Sequence, residues 1–295
     1  MNFYDENLRV LNFTHIDFDG VISAIVVKTY YKNVITEQIN YGREQEAVDK
    51  IIKYKDKIDA VVFTDFTPVN IKALQAMGKP ILVLDHHESC LSFNDPQNNV
   101  HINLKYCGAM LAFKYFSVKK DMSHLNDLVF LANDYDLFTL SDPRSMPFNA
   151  LYWQMGFRWF MTRFMNGNTK LYPEEKQYIL DYQKAVQLTY DNLPISDLPH
   201  KGCFYECEMY MAEMSRRLAN DGYQYQIIKH GNALSIRSAT DNINLLDVCK
   251  YVGDGGGHRR AAGIPLKPGD DIKLLVQKIC FGVEHVLNNP KELPF

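Results

Sequence analysis

The chain has 295 residues, of which 46% are hydrophobic and 23% charged, values typical of a globular protein with an apolar core. Its 32 basic and 35 acidic residues leave a net charge of −3, which argues against the basic face that a duplex nucleic-acid binder needs. The longest apolar run, Val21 to Val27, is interrupted by Ser23 and is too short to span a membrane. Residues 1–6 lack the basic and apolar segments of a secretory signal, so a cytoplasmic protein is expected.

The first part of the chain alternates strand-like and helix-like patterns. Strands are predicted over residues 9–14, 60–64 and 81–84, and helices over residues 20–31 and 70–77. Short apolar runs separated by helices are typical of βαβ units around a buried parallel sheet. The predicted fold class is therefore α/β, with an N-terminal parallel-sheet domain over residues 1–148.

A helical connector is predicted over residues 149–200. Its first part is helical and rich in aromatic residues, and the stretch from Tyr152 to Phe164 is expected to pack as one helical face rather than to stack on bases. Residues 193–199 carry two prolines and no periodicity, which indicates a linker. We therefore expect two domains joined by this linker to open and close around a substrate.

The rest of the chain, residues 201–295, has a smaller α+β pattern. Strands over residues 223–230 and 233–238 flank Gly231-Asn232, a hairpin signal. Further helices are predicted over residues 211–220, 244–252 and 271–287. A second, smaller C-terminal domain follows from this pattern.

Carboxylates and imidazoles come directly after each of the three strands predicted in the N-terminal domain. The carboxyl ends of parallel strands meet along one edge of an open sheet, where ligands bind. One aspartate after a strand is usually a helix cap or a turn residue, but here the three strand ends bring several such side chains to the same edge. The side chains are His15, Asp17, Asp19, Asp65, Asp85, His86 and His87.

A further acidic group, Asn133-Asp134-Tyr135-Asp136, follows the apolar run Leu128 to Ala132. So many carboxylates would repel each other and raise each other's pKa values unless cations neutralised them. Imidazole and carboxylate ligands without a thiolate suit Mn, Mg or Fe better than structural zinc. The ligands suffice for two divalent ions that share one carboxylate at a separation of about 3.5–4 Å.

These side chains resemble the four motifs of the DHH phosphoesterase superfamily. The resemblance lies in the run from Thr14 to Gly20 with Ser23-Ala24, in Asp65, in Asp85-His86-His87 and in Asp134. Further along, residues 235–238 and 255–263 resemble the substrate-binding signature of the DHH-associated C-terminal domain. The motifs occur in order between residues 14 and 263, which makes the resemblance specific.

The resemblance implies a role for each motif residue. It implies one metal ion on His15, Asp17 and Asp65, and a second on Asp19, Asp65, His86 and Asp134. The predicted catalytic residues are Asp65, which bridges the two ions, and His87, which donates to the phosphate or leaving group. Asp85 is expected to orient a histidine from outside the metal site.

The fourth motif leaves two aspartates in competition. Asp134 directly follows the apolar segment and is favoured for that reason, while Asp136 stays open as the alternative.

The glycine-rich loop of the C-terminal part is predicted to bind substrate. Gly255, Gly256 and Gly257 let the backbone approach a phosphate and present N–H groups to it. His258 and Arg237 add side-chain donors, and a guanidinium matches phosphate geometry. The alternative is a flexible hairpin between a helix and a strand.

The resemblance implies phosphoester hydrolysis with two divalent metal ions, Mn2+ or Mg2+, that hold the attacking hydroxide. Exonucleases of RecJ type are larger and carry an added nucleic-acid-binding domain, and family II inorganic pyrophosphatases lack the Gly-Gly-Gly-His loop. We therefore predict an enzyme similar to nano-RNases, which hydrolyses short single-stranded oligonucleotides to mononucleotides. A second activity on 3′,5′-bisphosphonucleotides stays open.

Three alternatives remain at this point. They are a single-stranded DNA exonuclease of RecJ type, a phosphodiesterase for cyclic or linear dinucleotides, and a catalytically silent nucleotide-binding protein. The complete set of metal ligands argues against the silent protein. No membrane or duplex nucleic-acid partner is expected, and a homodimer stays open.

Overall fold

A computed structural model describes residues 2–289. The chain forms two compact units, Met1–Tyr182 and Gln183–Phe295. Each unit has its own sheet and its own apolar core. A parallel sheet with helices in the first unit and a smaller sheet with helices in the second confirm the predicted α/β fold class.

Among the described residues, the first unit contains five strands and eight α-helices, the last of which extends into the second unit. The strands are β1 (Arg9–Thr14), β2 (Asn33–Gln38), β3 (Ala60–Thr64), β4 (Ile81–Asp85) and β5 (Val100–Ile102). The helices are α1 (Phe18–Tyr30), α2 (Glu44–Tyr54), α3 (Ile71–Gln75), α4 (Gly108–Ser117), α5 (Asn126–Asp136), α6 (Ser145–Met155), α7 (Phe157–Phe164) and α8 (Pro173–Asp191).

The five strands form one parallel sheet in the order β2-β1-β3-β4-β5. The register pairs Thr14 with Thr64, and Thr64 with Leu84. Strands β1, β3 and β4 therefore end almost level with one another. This alignment brings the residues that follow these strands to neighbouring positions along one edge of the sheet.

Alternate residues of the central strands enter two different cores. Val10, Val62 and Leu82 pack with α1, α4 and α5 on one face of the sheet. Leu11 and Val61 pack with α2 and α3 on the other face. Because both faces are covered, the central strands are mostly apolar, which is why their sequences are easy to recognise.

The aromatic stretch of the predicted connector differs from expectation. Gly156, with a φ of 77°, separates α6 from α7, so the stretch forms two helices rather than one. Phe160 and Phe164 are buried in the core of the first unit, whereas Trp153 is 53% exposed. The prediction of a single packed face is therefore correct for α7 and wrong for Trp153. Residues 149–182 belong to the first unit, and residues 183–200 to the second.

The second unit contains a six-stranded mixed sheet in the order β10-β11-β9-β8-β7-β6. The strands are β6 (Ser196–Leu198), β7 (Gly202–Glu206), β8 (Tyr225–His230), β9 (Ala233–Ser238), β10 (Gly256–Gly257) and β11 (Ala261–Pro265). Its further helices are α9 (Met211–Asn220), α10 (Leu245–Val252) and α11 (Ile272–Asn288). Strands β7 and β8 are parallel, and every other neighbouring pair in this sheet is antiparallel.

Two sequence predictions for the second unit can be compared with this sheet. The hairpin at Gly231-Asn232 is present, because His230 of β8 pairs with Ala233 of β9. The segment 193–199 is not a bare linker, because it contains β6, which pairs with β7. The end of the predicted domain 201–295 lies outside the described residues. Across residues 2–289, no helix is both long and apolar enough to cross a membrane.

Candidate metal centre

The loop after β1 places three motif side chains at the start of α1. Asp17 is the N-cap of this helix, and its Oδ1 accepts a hydrogen bond from the backbone N–H of Gly20 at 2.9 Å. Its Oδ2 lies 2.8 Å from Nδ1 of His15. Asp19 lies in the first turn of α1 and is buried. Capping of α1 by Asp17 therefore holds the side chains of the first motif in position.

Asp19 faces the beginning of another helix, α4. Its two carboxylate oxygens accept hydrogen bonds from the backbone N–H groups of Gly108 and Ala109, at 2.6 and 2.8 Å. The first N–H groups of a helix have no partner within the helix, and the helix dipole favours a negative charge there. The start of α4 therefore helps to hold Asp19 as a buried carboxylate.

Asp65 follows β3 and lies at the centre of the site. Its Oδ1 is 3.1 Å from Nε2 of His86, and its Oδ2 is 4.0 Å from Nδ1 of His15. Oδ2 is buried and accepts no hydrogen bond from the described residues. The backbone of Asp65 has a φ of 54°, a left-handed conformation in which aspartate is more readily accommodated than most residues. One buried carboxylate thus faces a histidine on each side.

The third motif, at the end of β4, is organised by Asp85. Oδ1 of Asp85 accepts hydrogen bonds from Nδ1 of His87 at 2.7 Å and from the backbone N–H of His86 at 2.8 Å. Oδ2 accepts one from the hydroxyl of Thr67 at 2.5 Å. Burial would raise the pKa of Asp85, but His87 and His86 outweigh it and hold the pKa below its ordinary value. Asp85 is therefore an ionised carboxylate that orients His87.

His86 reaches three carboxylates with Nε2. Besides Oδ1 of Asp65, they are Oδ2 of Asp136 at 3.4 Å and Oδ2 of Asp19 at 3.7 Å. Ligand atoms within 4.8 Å of one another form three groups in the described residues: His15, Asp17 and Asp65; Asp19, His86 and Asp136; and Asp65, Asp85, His86 and His87. The first group is the predicted first ligand set, and the second contains Asp19 and His86 of the predicted second set together with Asp136.

Asp134 is occupied elsewhere, so the choice between the two aspartates needs correction. Its oxygens accept hydrogen bonds from the backbone N–H and hydroxyl of Ser141, the backbone N–H of Asp142 and the hydroxyl of Ser145, at 2.6 to 3.1 Å. These bonds hold the pKa of Asp134 at about 2, against the effect of burial. Asp134 thus stabilises the loop after α5, whereas Asp136 lies at the cluster.

The charges at the cluster fit a cation-binding site. Burial, together with Asp19 and Asp17, raises the pKa of Asp65 well above its ordinary value. Burial raises the pKa of Asp136 to about 6, although His86 opposes the change. No Lys or Arg within residues 2–289 forms an ion pair with Asp65. Buried carboxylates whose near neighbours are imidazoles rather than Lys or Arg, one of them with an oxygen that accepts no hydrogen bond, are donors that suit a divalent cation.

Two residues at this site were missed from the sequence. Asn40 lies just after β2, and its Oδ1 is 3.2 Å from Nε2 of His15. Tyr41 follows it, and its ring centroid lies 5.4 Å from that of His15 and 5.3 Å from that of His87. The only available signal was their position after a strand of the same sheet, and β2 itself was not predicted.

The glycine-rich loop lies in the second unit, where Gly256 and Gly257 pair with Gly263 and Ala262. Gly257 has a φ of 136°, and a Cβ atom there would lie 2.5 Å from the carbonyl oxygen of Ala261. Arg237 lies on the neighbouring strand, opposite Ala261. Only glycine fits the backbone at Gly257, and the segment forms a short hairpin.

Arg259 and Arg260, which follow this loop, bind Asp241. Arg260 forms an ion pair with the carboxylate of Asp241 at 2.8 Å, and Arg259 donates to its backbone carbonyl at 2.9 Å. Arg259 thus contacts the neighbouring loop.

Comparison with known proteins finds similarity in the first part of the chain. Residues 9–133 match the DHH family, N-terminal domain. A 3′,5′-cyclic-nucleotide phosphodiesterase of Helicobacter pylori is 23% identical over 153 residues, which cover 44% of this chain and 44% of that protein.

Solved structures share the fold over almost the whole chain. RecJ of Thermus thermophilus, crystallised with Mn2+, is 12% identical, with a TM-score of 0.65 over 98% of this chain and 54% of its own. The pGpG-specific phosphodiesterase PggH of Vibrio cholerae is 13% identical, with a TM-score of 0.55 over 94% of this chain and 99% of its own. Residues 9–133 thus match the DHH N-terminal domain, and the chain shares its fold with RecJ and PggH.

Proposed function

We propose that this chain is a metal-dependent phosphodiesterase that hydrolyses short single-stranded oligonucleotides to mononucleotides. The main support for the proposal is that imidazole and carboxylate side chains surround the buried Asp65, with His15 and Asp17 in one group and His86 in another. His87, held by Asp85, lies in contact with this cluster, at 4.7 Å from His86 between ring centroids. Such a site suits an anionic phosphoester better than an apolar or cationic substrate.

Two divalent cations, Mn2+ or Mg2+, are the proposed cofactors. His15, Asp17 and Asp65 would hold one, and the other would be held by Asp19, Asp65, His86 and Asp136. When bound, the cations would withdraw charge from the phosphate and lower the pKa of a water molecule.

His87 is the proposed donor to the phosphate or to the leaving group. Because Asp85 accepts the Nδ1–H of His87, the orientation of the ring is fixed. A protonated His87 therefore donates its second N–H, on Nε2, toward the substrate. Asp85 does not contact the substrate in this scheme and acts by positioning His87.

Three features support a short substrate. The net charge of −3 offers no long basic track for a polymer. The hairpin at Gly255, Gly256, Gly257 and His258, with Arg237 on the next strand, is suited to hold one phosphate through backbone N–H groups and a guanidinium. The fold is also that of a phosphodiesterase described as specific for pGpG, a linear dinucleotide.

A cyclic-nucleotide phosphodiesterase is the second candidate. The H. pylori relative carries that activity in its name, and its similarity to this chain extends over 153 residues. The same cluster suits hydrolysis of a 3′,5′-cyclic phosphate, since the bond broken is again a phosphodiester. RecJ-like exonuclease activity and 3′,5′-bisphosphonucleotide phosphatase activity are tested beside it.

The deciding experiment compares four substrates with Mn2+ present. They are RNA of about two to five nucleotides, single-stranded DNA of about 24 nucleotides, a 3′,5′-cyclic nucleotide and a 3′,5′-bisphosphonucleotide. We expect the short RNA to be converted to mononucleotides and the long DNA to survive. Hydrolysis of the cyclic nucleotide alone would favour the second candidate, and shortening of the long DNA would favour an exonuclease.

Asp65→Asn serves as the inactive variant, because asparagine has the same shape and tolerates the left-handed backbone at this position. Asp121→Asn is its matched control, since Asp121 is exposed and caps the turn at Ser123. Equal activity of the Asp65 variant and the wild type would contradict a role for the cluster in hydrolysis.

A further inference from the structure

Tyr41 packs against two histidines of the candidate metal centre, His15 and His87. Its ring packs on Phe66 at 4.9 Å between centroids, and its other ring neighbours are His15 and His87. His15 and His87 belong to the first and third motifs, and their ring centroids are 6.4 Å apart. Tyr41 therefore occupies the place where the predicted metal ligand His15 and the proposed donor His87 meet.

The backbone of Tyr41 is tied to the same site. Oδ1 of Asn40 accepts a hydrogen bond from the backbone N–H of Tyr41 at 2.9 Å and also contacts Nε2 of His15 at 3.2 Å. One amide oxygen thus joins the loop after β2 to the first motif. The ring of Tyr41 is held in position before any ligand arrives, and such preorganisation is typical of binding residues.

The hydroxyl of Tyr41 has no hydrogen-bond partner among residues 2–289. Tyrosine hydroxyls, whose ordinary pKa is about 10, carry their proton at neutral pH. Tyr41 as a whole remains 39% exposed, so its position is accessible to a ligand. It is therefore a neutral donor available at the rim of the site.

We propose that Tyr41 binds the substrate by donating a hydrogen bond from its hydroxyl to a non-bridging oxygen of the phosphate that undergoes hydrolysis. This inference rests on the proposed phosphodiesterase function. A phosphate oxygen is a strong acceptor, and an uncharged donor adds no positive charge that would compete with metal ions for the carboxylates. Together with His87, Tyr41 gives the phosphate two donors from the protein.

Tyr41→Phe tests the hydroxyl separately from the ring, because phenylalanine preserves the packing against Phe66, His15 and His87. Tyr178→Phe is the matched control, since Tyr178 is 40% exposed on α8 and has no role in the proposal. Two experiments are made: kcat and KM are measured for a linear dinucleotide, and the affinity of the Mn2+-loaded protein for inorganic phosphate is measured by calorimetry. Metal affinity and the melting temperature are followed in parallel.

We expect Tyr41→Phe to lose about tenfold in kcat/KM and a similar factor in phosphate affinity, the size expected for one hydrogen bond to a charged acceptor. Metal affinity and melting temperature should match the wild type, as should every property of Tyr178→Phe. Tyr41→Ala should lose more, because the support for His15 and His87 disappears with the ring.

Unchanged kcat/KM and phosphate affinity in Tyr41→Phe would overturn the proposal, and a defect confined to Tyr41→Ala would reduce Tyr41 to a support for the histidines. If the wild type hydrolyses none of the four substrates, the proposed function fails. The phosphate titration then still decides the role of Tyr41, since it needs no turnover. Absence of phosphate binding in the wild type as well would also overturn the proposal.

Discussion

Two aspartates two positions apart on α5 have different tasks. Residues i and i+2 of a helix point about 200° apart, so Asp134 and Asp136 cannot serve the same site. Asp134 is saturated by four hydrogen bonds from the loop after α5, and its backbone carbonyl accepts two more, from Thr139 and Leu140. Asp136 instead faces His86.

Asparagine substitutions should separate these two tasks. Asp134→Asn replaces a carboxylate that accepts four hydrogen bonds, so we expect a loss of about 1–3 kcal/mol in the free energy of unfolding and little change in Mn2+ affinity. Asp136→Asn should weaken Mn2+ binding and leave the metal-free protein at least as stable, because it relieves charge repulsion at the cluster. Chemical denaturation and calorimetry measure both effects, and the opposite pattern would return the metal-ligand role to Asp134.

The candidate site was predictable only in part at this scale. The motif side chains between His15 and His87 could be predicted because they follow three strands that are recognisable from their sequences. The sequence favoured Asp134, but distance from an apolar segment does not tell which face of a helix a side chain occupies, and the structure places Asp136 at the cluster. Its true partners, Ser141 and Ser145, are seven and eleven residues away and gave no local signal.

Among the secondary-structure elements, the buried strands were the ones that could be predicted from the sequence. Strands β3 and β4 are buried throughout and were predicted within a residue of their bounds. Strand β2 is an edge strand, partly buried along its length and mixed in polarity, and it was missed. Its loss also hid Asn40 and Tyr41, so an error in one element became an error in the site.

The start of α4 contacts two aspartates of the cluster, Asp19 and Asp65. Gly108 donates to Asp19 and also lies against Asp65, so that a Cβ atom at this position would come within 2.5 Å of Cβ of Asp65. Both contacts require the helix to begin very close to the sheet edge. Glycine is the residue that permits this approach.

Gly108→Ala should therefore disturb both the fold and the site. Overpacking of this kind costs about 1–3 kcal/mol of unfolding free energy, and displacement of α4 would also move Asp19 and weaken Mn2+ binding. Gly263→Ala is the control, because a Cβ atom there meets no atom within 4 Å. Melting curves and metal titrations give the comparison. Native stability and metal affinity in Gly108→Ala would show that the close approach has no role.

For the whole molecule, the cluster makes stability depend on pH and on metal together. The pKa of Asp136 in the folded state, about 6, lies above the value of about 3.9 expected for an unfolded chain. Between these values the folded state holds more protons, so stability from this group is present below about pH 4 and is lost as pH rises through about 6. The raised pKa of Asp65 acts in the same direction.

Other titrating groups at the site act outside this range. The pKa of His15 is raised to about 9 because Asp17 outweighs the effect of burial, so its contribution to stability is lost only in more alkaline solution. Asp17 and Asp85 have lowered pKa values, and their contributions are lost in acid. The interval from about pH 4 to about pH 6 therefore reports mainly on Asp136 and Asp65.

We expect Mn2+ to raise the melting temperature more at about pH 7.5 than at about pH 5, because cations must displace protons from these carboxylates in acid. Below about pH 6, Mn2+ affinity should fall by about tenfold per pH unit for each proton displaced. Thermal melts with and without Mn2+ at both pH values measure the effect, and Asp136→Asn should reduce it. A metal-induced stabilisation that is the same at both pH values would mean that these carboxylates are not the groups that bind the metal.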